Sequence, residues 1–157
     1  MSDHTASLVA MASSWQVLAE DLDSVMSILT WGSFVIVEYD SARQGQDAPY
    51  VQAAPGPHGW YVELESESFL PAGTWPLDVG WLTQTGWNPP DGSTDNWWQS
   101  GLPAAGVAEL LLKGLRCART CVLADLVSVR TGRFPTGPHG GQPSDDFRTT
   151  TVTVLAA

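Results

Sequence analysis

The sequence predicts an α+β fold of two layers, an antiparallel β-meander packed against long helices. An apolar stripe at helical spacing fills the first thirty residues, three short runs rich in β-branched and aromatic residues follow, and a second helical stripe comes after Pro103. With 157 residues, 43% of them hydrophobic, the chain is the size of one domain with its own core. The α+β body is expected over residues 1–130, and residues 131–157 are expected to form a flexible Gly/Pro-rich loop and a C-terminal segment.

The first element is a helix. Leu8, Met11, Trp15, Leu18, Leu22, Val25 and Leu29 recur at alternating spacings of three and four, with Ser13, Gln16, Glu20, Asp23 and Ser27 opposite. It is expected to start near Ser2 to Thr5 and to stop before Gly32. The period then changes at Phe34-Val35-Ile36-Val37-Glu38-Tyr39, a buried-strand pattern bounded by Gly32 and by the polar stretch 40–47. Tyr50-Val51-Gln52-Ala53-Ala54 and Trp60-Tyr61-Val62-Glu63-Leu64-Glu65 continue as strands two and three, with a turn at Pro55-Gly56-Pro57-His58-Gly59 between them. In the third strand Trp60, Val62 and Leu64 point one way and Tyr61, Glu63 and Glu65 the other, so one face is apolar and the other half-exposed.

A short helix is expected over 76–85, with Pro76 in its first turn and Gly86 as its stop. Pro89-Pro90-Asp91-Gly92 reads as a turn within a Trp-rich connection. A second long helix follows from Pro103 to Arg119, with Val107, Leu110, Leu111, Gly114, Leu115 and Ala118 on its apolar side; Gly114 weakens it or allows close packing. Residues 122–129 fit either an extension of that helix or a strand. Residues 131–146 lack periodicity and read as a mobile loop, and Thr149 to Leu155 has the composition of a strand that returns to a sheet edge or to another chain.

Charge is distributed unevenly. Residues 1–112 hold fourteen acidic side chains and one basic one, Arg43, a balance of −13; residues 113–157 hold six basic and three acidic, a balance of +3, and together these give the net −10. An acidic body repels phosphate backbones, so nucleic acid is not an expected partner, whereas a basic segment is attracted. The C-terminal basic residues are candidates for pairing with the acidic face of a second copy, which points to a possible homodimer. No apolar run reaches the roughly 20 residues of a membrane span, and acidic residues stand where a signal peptide is basic, so a cytoplasmic protein without a membrane partner is expected. Cys117 and Cys121, four apart in a helical segment, are expected on one face as reduced thiols.

Five of the eight Trp residues fall between Trp75 and Trp98. Large rigid aromatics in a turn-rich segment suit partner contact better than chemistry. No catalytic set accompanies them. His4, His58 and His139 have no neighbouring ligand or nucleophile at a useful spacing, and the carboxylates of Glu63 and Glu65 on one strand face carry little specificity in so acidic a chain. Neither metal nor cofactor is expected.

Several short pieces occur in a characteristic order: Tyr50-Val51-Gln52 opening the second strand, Glu63 in the third, Gly86-Trp87-Asn88-Pro89-Pro90 after the short helix, and Asn96-Trp97 before the last long helix. Over residues 10–127 the chain thereby resembles the actinobacterial TY-Chap domains, grouped with type III secretion chaperones and YbjN-type proteins as peptide-binding chaperones. The resemblance implies a type III secretion chaperone-like α+β sheet with helices on one side that holds an extended segment of a client protein, often as a dimer, without enzymatic activity. The candidate contact residues are Trp60, Tyr61, Trp81, Trp87, Trp97 and Trp98, with Glu63 and Glu65 for basic client side chains. Trp15 and Trp60 also suit a core, and adjacent Trp97 and Trp98 do not both point inward easily. A second reading is a carbohydrate- or small-ligand-binding module, which requires Trp rings exposed in a row.

Overall fold

A computed structural model describes residues 2–39, 48–134 and 150–152, with side chains over 14–39 and 48–134. The expected polar stretch 40–47, most of the expected loop 131–146, and the side chains of Leu8 and Met11 in the stripe and of His4, Arg43, His139 and Arg148 lie outside what is described.

Helix α1 spans Ser2–Ser27. Its buried face is Trp15, Leu18, Leu22 and Met26, so the stripe ends on a spacing of four at Met26, while Val25 and Leu29 only flank the core. The strands are β1 Ser33–Tyr39, β2 Tyr50–Gly56 and β3 Gly59–Leu64. The β2–β3 turn is tighter than the Pro/Gly composition suggests, with Gly56 paired directly to Gly59. Gly59 holds φ +121°, and a Cβ there would stand 2.8 Å from the backbone of Gly101 and Leu102, so only glycine fits this turn.

The sheet is wider than a three-strand meander. Its order is β4-β3-β2-β1-β5-β6, with β4 Trp97–Leu102, β5 Val127–Arg133 and β6 Thr150–Val152, and every pairing is antiparallel. β4 was hidden because Trp97-Trp98-Gln99-Ser100-Gly101 has no clean alternation; its pairing to β3 makes it a strand. Of the two readings of 122–129 the strand prevails from Val127 on, after one 3-10 turn at Ala124–Leu126. β1 becomes the centre of the sheet, matched to β5 over seven residues from Ser33↔Arg133 to Tyr39↔Val127. β5 runs past residue 130, and β6 pairs with it at the sheet edge.

The helices are shorter than predicted. α2 covers Val79–Gln84, because the Asp78 side chain accepts the Trp81 N–H at 2.9 Å and fixes the start there instead of at Pro76. Gly86, at φ +90°, ends it. α3 covers Val107–Lys113 and passes into a π-helical turn at Gly114–Ala118; Gly106, in the left-handed region, delays its start from Pro103. A Cβ at Gly114 would come within 2.9 Å of Leu64 Cδ1 and 3.6 Å of Val51 Cγ1, so this helix end lies directly on β2 and β3. Thr120 takes φ 53°, which turns the chain so that Cys121 enters the core while Cys117 stays exposed. The two thiols do not share a face, and burial pushes Cys121 up to about 12.

One sheet face, with Val35, Val37, Val51, Ala53, Val62, Leu64, Val127 and Val129, packs beneath α1 and α3. Arg119, fully buried, closes the end of that layer. Its Nη1 donates to Trp75 O at 3.0 Å and its Nη2 to Glu65 O at 2.7 Å, while its own carbonyl accepts the Trp75 indole N–H at 2.6 Å. Burial lowers its pKa and the Glu65 charge opposes that shift. Replacing Arg119 with Met strips two buried carbonyls of a charged donor and also removes a desolvated charge, so the expected net loss is about 2–4 kcal/mol in urea unfolding. An unfolding curve equal to that of the parent protein would show that the clamp contributes nothing.

Candidate functional site

No described helix lies on the opposite face of the sheet, and register shows what that face presents. Opposed residues run in rows across the strands: Trp98, Glu63, Gln52, Ile36 and Arg130 form one row, and Tyr61 lies opposite Ala54 in the next. All seven are half-buried, as expected of side chains that stand on a sheet face with no described helix packed over them.

Glu63 is the centre of this face. Its Oε1 accepts the Tyr61 hydroxyl at 2.6 Å and the Thr94 hydroxyl at 3.2 Å, and its Oε2 accepts Gln52 Nε2 and, at 3.4 Å, Asn96 Nδ2. Four neutral donors fill about four acceptor positions. None of the described basic side chains pairs with Glu63; the described salt bridges are Arg130–Glu38 and Lys113–Glu109. Asn96 ties this centre to its surroundings, donating also to the Tyr50 hydroxyl at 3.4 Å and accepting the Ser66 N–H at 3.2 Å. Asp91 organises the loop above, accepting Ser93 Oγ at 2.6 Å, Ser93 N at 2.8 Å and Thr94 N at 3.1 Å. These bonds, the Ser93 hydroxyl first, hold its carboxyl below the usual range.

The negative field is visible in the phenols. Burial first, then the hydrogen bond to Glu63, push Tyr61 from 10.0 up to about 12, with the Glu63 and Asp91 charges adding to the rise. Tyr50 is raised by burial and by the charges of Glu65 and Glu63, against the Asn96 hydrogen bond. Tyr61 stacks on Trp98 with centroids 6.4 Å apart and planes 23° from parallel.

Two cavities flank Tyr61 and Glu63, which line both. One, of about 360 Å³, lies toward Tyr50, Phe69 and the loop 92–96; the other, of about 310 Å³, lies over Gln52, Ala53 and Ala54 and is also lined by Phe34 and Phe134. A larger groove of about 620 Å³ runs between α1 and α3 on the other side of the molecule. Its cations are engaged locally, Lys113 with Glu109 at 3.1 Å and Arg116 over the Trp15 ring at 5.0 Å. The pieces that order the chain from Tyr50 to Asn96 do not converge there.

The structure separates the residues singled out from sequence. Tyr61, Glu63 and Trp98 come together on the open face. Trp60, Trp87 and Trp97, expected as candidate contact residues, are core residues, 8%, 3% and 7% exposed. Trp81, on α2, is half-buried and packs against the core, and it makes no described hydrogen bond to the Glu63 cluster. Glu65 is buried at the end of β3, where its backbone meets Tyr50 and Arg119, so it does not stand beside Glu63 as a second open-face acid. Alternation fails at Glu65 because the strand ends at Leu64.

Sequence reasoning passed over Gln52, Thr94 and Asn96 as site residues; the opposition of Gln52 to Glu63 follows once β2 and β3 are paired through a two-residue turn. Phe34 and Phe134, with rings 5.0 Å apart, meet only through the β1–β5 register. Trp31, 75% exposed, stood outside the Trp-dense segment. Among the described residues no group of three or more His, Cys, Asp or Glu side chains could hold a metal ion, and no helix is long and apolar enough to cross a membrane.

The family model for T3SS (YopN, CesT) and YbjN peptide-binding chaperone 3, TY-Chap3, matches residues 9–131. No curated protein and no solved structure matches the chain.

The raised phenol gives a pH prediction. A tyrosine that holds its proton more tightly in the folded state contributes stability that is complete below pH 10.0 and is lost as pH rises to about 12. Unfolding free energy measured across that window should fall. Glu63→Gln, which removes the charge beside the phenol, should bring the Tyr61 pKa back toward 10.0 in an ultraviolet titration of the phenolate. A Tyr61 that titrates identically with and without the Glu63 charge would contradict the geometry.

Proposed function

Because the chain belongs to the TY-Chap3 family of T3SS and YbjN peptide-binding chaperones, we propose that it holds an extended segment of a client protein across the open face of its sheet, over Tyr61, Glu63 and Trp98. The observation that carries this reading is convergence. Tyr50, Gln52, Glu63 and Asn96, up to 46 positions apart in the chain, form one hydrogen-bonded cluster there, flanked by two cavities.

The face suits a peptide better than the near edge does. At Trp98 the outer edge of β4 is already taken by Asn88, whose backbone N–H donates to Trp98 O at 2.9 Å and whose carbonyl accepts the Trp98 N–H at 3.1 Å. Strand addition is blocked at that position. The cluster also supports binding over chemistry, because the Glu63 carboxylate is filled by four donors and has no lone pair left to act as a base. A carbohydrate module would need Trp rings exposed in a row, and the described Trp residues between Trp75 and Trp98 are buried or half-buried. A homodimer paired through C-terminal basic residues gains no support from those described, since Lys113, Arg116, Arg119, Arg130 and Arg133 are engaged within the chain. Light scattering decides that point, and residence in the cytoplasm is the compartment this reading assumes.

The reading is tested with an unfolded, alkylated polypeptide as the client, titrated into the protein and into Tyr61→Ala and Trp98→Ala. Loss of either ring should weaken binding roughly tenfold, about 1.4 kcal/mol. Val122→Ser, at an exposed site on the other end of the molecule, should bind as the parent does. Equal affinities across all four proteins would place the client elsewhere.

A further inference from the structure

The two cavities differ in chemistry, and that difference names the kind of segment they take. The first is walled by the rings of Tyr50, Tyr61 and Phe69, with the Glu63 and Asp95 carboxylates on its lining. Asp91 adds its charge from the loop above, facing Tyr61. No described cation neutralises this group. Aromatic faces combined with uncompensated carboxylates attract a cation by both the ring quadrupole and the net field. The second cavity is lined by Phe34, Ala53, Ala54, Phe134 and Tyr61, and its two polar members, Gln52 and Glu63, are hydrogen-bonded to each other. Phe34 is held in place beneath, since Gly132 leaves it room that a Cβ, 2.4 Å from Phe34 Cζ, would fill. Phe134 remains 45% exposed beside it. This cavity fits an apolar side chain.

We infer that the open face reads a basic residue and a large apolar residue together in one extended segment, the basic one in the Tyr50–Glu63–Asp95 cavity and the apolar one in the cavity over Ala53 and Ala54, against the paired rings of Phe34 and Phe134. This rests on the reading that a client lies across this face. The path between the cavities crosses β3 toward β1, roughly two strand spacings or about 10 Å, which an extended chain covers in about three residues. Basic and apolar positions about three apart are therefore the recognised pattern. Glu63, its acceptor positions filled, acts as a fixed charge that holds Tyr61 upright between the cavities. Long-range attraction comes from it together with Asp91 and Asp95, and so fades with salt.

The test is a displayed library of random linear peptides selected against the full chain, followed by titration of synthetic peptides from the enriched pool. Enriched sequences should carry Lys or Arg about three positions from Phe, Trp, Leu or Ile, and should lose binding to Tyr61→Ala. For one such peptide, neutralising its basic residue or using the exposed-site variant Asp95→Asn should weaken binding several-fold at low salt and less at high salt. Truncating its apolar residue, or using Phe134→Ala, should weaken binding roughly tenfold at any salt. Peptides that depend on Tyr61 but show no basic–apolar pair overturn the inference and leave the site standing. Peptides indifferent to Tyr61 overturn both.

Discussion

The helical layer covers one face of the sheet and leaves the other without a described partner, and most features of this molecule follow from that asymmetry. Six antiparallel strands span roughly 24 Å, and two helices side by side cover nearly as much on one face. Apolar residues from β1, β2, β3 and β5 use that cover. On the opposite face side chains can be satisfied only by lateral neighbours, and a row such as Trp98, Glu63, Gln52 and Ile36 is the result. Polar residues there bond along the row and aromatic ones stack within it, which keeps the face ordered without burying it.

That order is supported from the core. Arg119 grips the carbonyls of Glu65 and Trp75, Ser66 next to Glu65 donates to Asn96, and Asn96 donates to Glu63 and Tyr50. A buried cation at the end of the helical layer thus fixes the segment that positions the Glu63 cluster. Side chains held in this way lose little further freedom when a ligand settles on them, so less of the contact energy is spent on ordering. The loop from Asp91 to Asn96 is secured by its own Asx-type bonds to the Asp91 carboxylate, and it forms a wall of the acidic cavity.

The tryptophans divide between two tasks. A buried Trp removes 150–250 Å² from water, roughly 4–6 kcal/mol at about 25 cal/mol per Å², more than a single exposed contact returns in binding. Gly86 shows how this is arranged: its left-handed conformation ends α2 and turns Trp87 into the core against Gly114. The following Asn88 then covers the β4 edge at Trp98. The motif from Gly86 to Pro90 is in this light a device for closing an edge and filling a core. Trp98, next to the buried Trp97, is left on the open face, where its ring stacks on Tyr61.

The local periods and the chemistry of the chain are legible in the order of its residues. The α1 stripe, the β1 to β3 runs and the acidic body are read directly, since helix and strand periods depend on near neighbours. Glu63 and Tyr61 were legible as the half-exposed side of β3 for the same reason. The rest depends on contacts between distant segments. Whether Trp97 or Trp98 enters the core depends on β4 pairing with β3, whether Glu65 is exposed depends on where that strand ends, and Gln52, Asn96 and Phe134 reach the site only through register with distant segments. Pairing between strands is a long-range event, and no local pattern of apolar residues encodes which strand lies beside which.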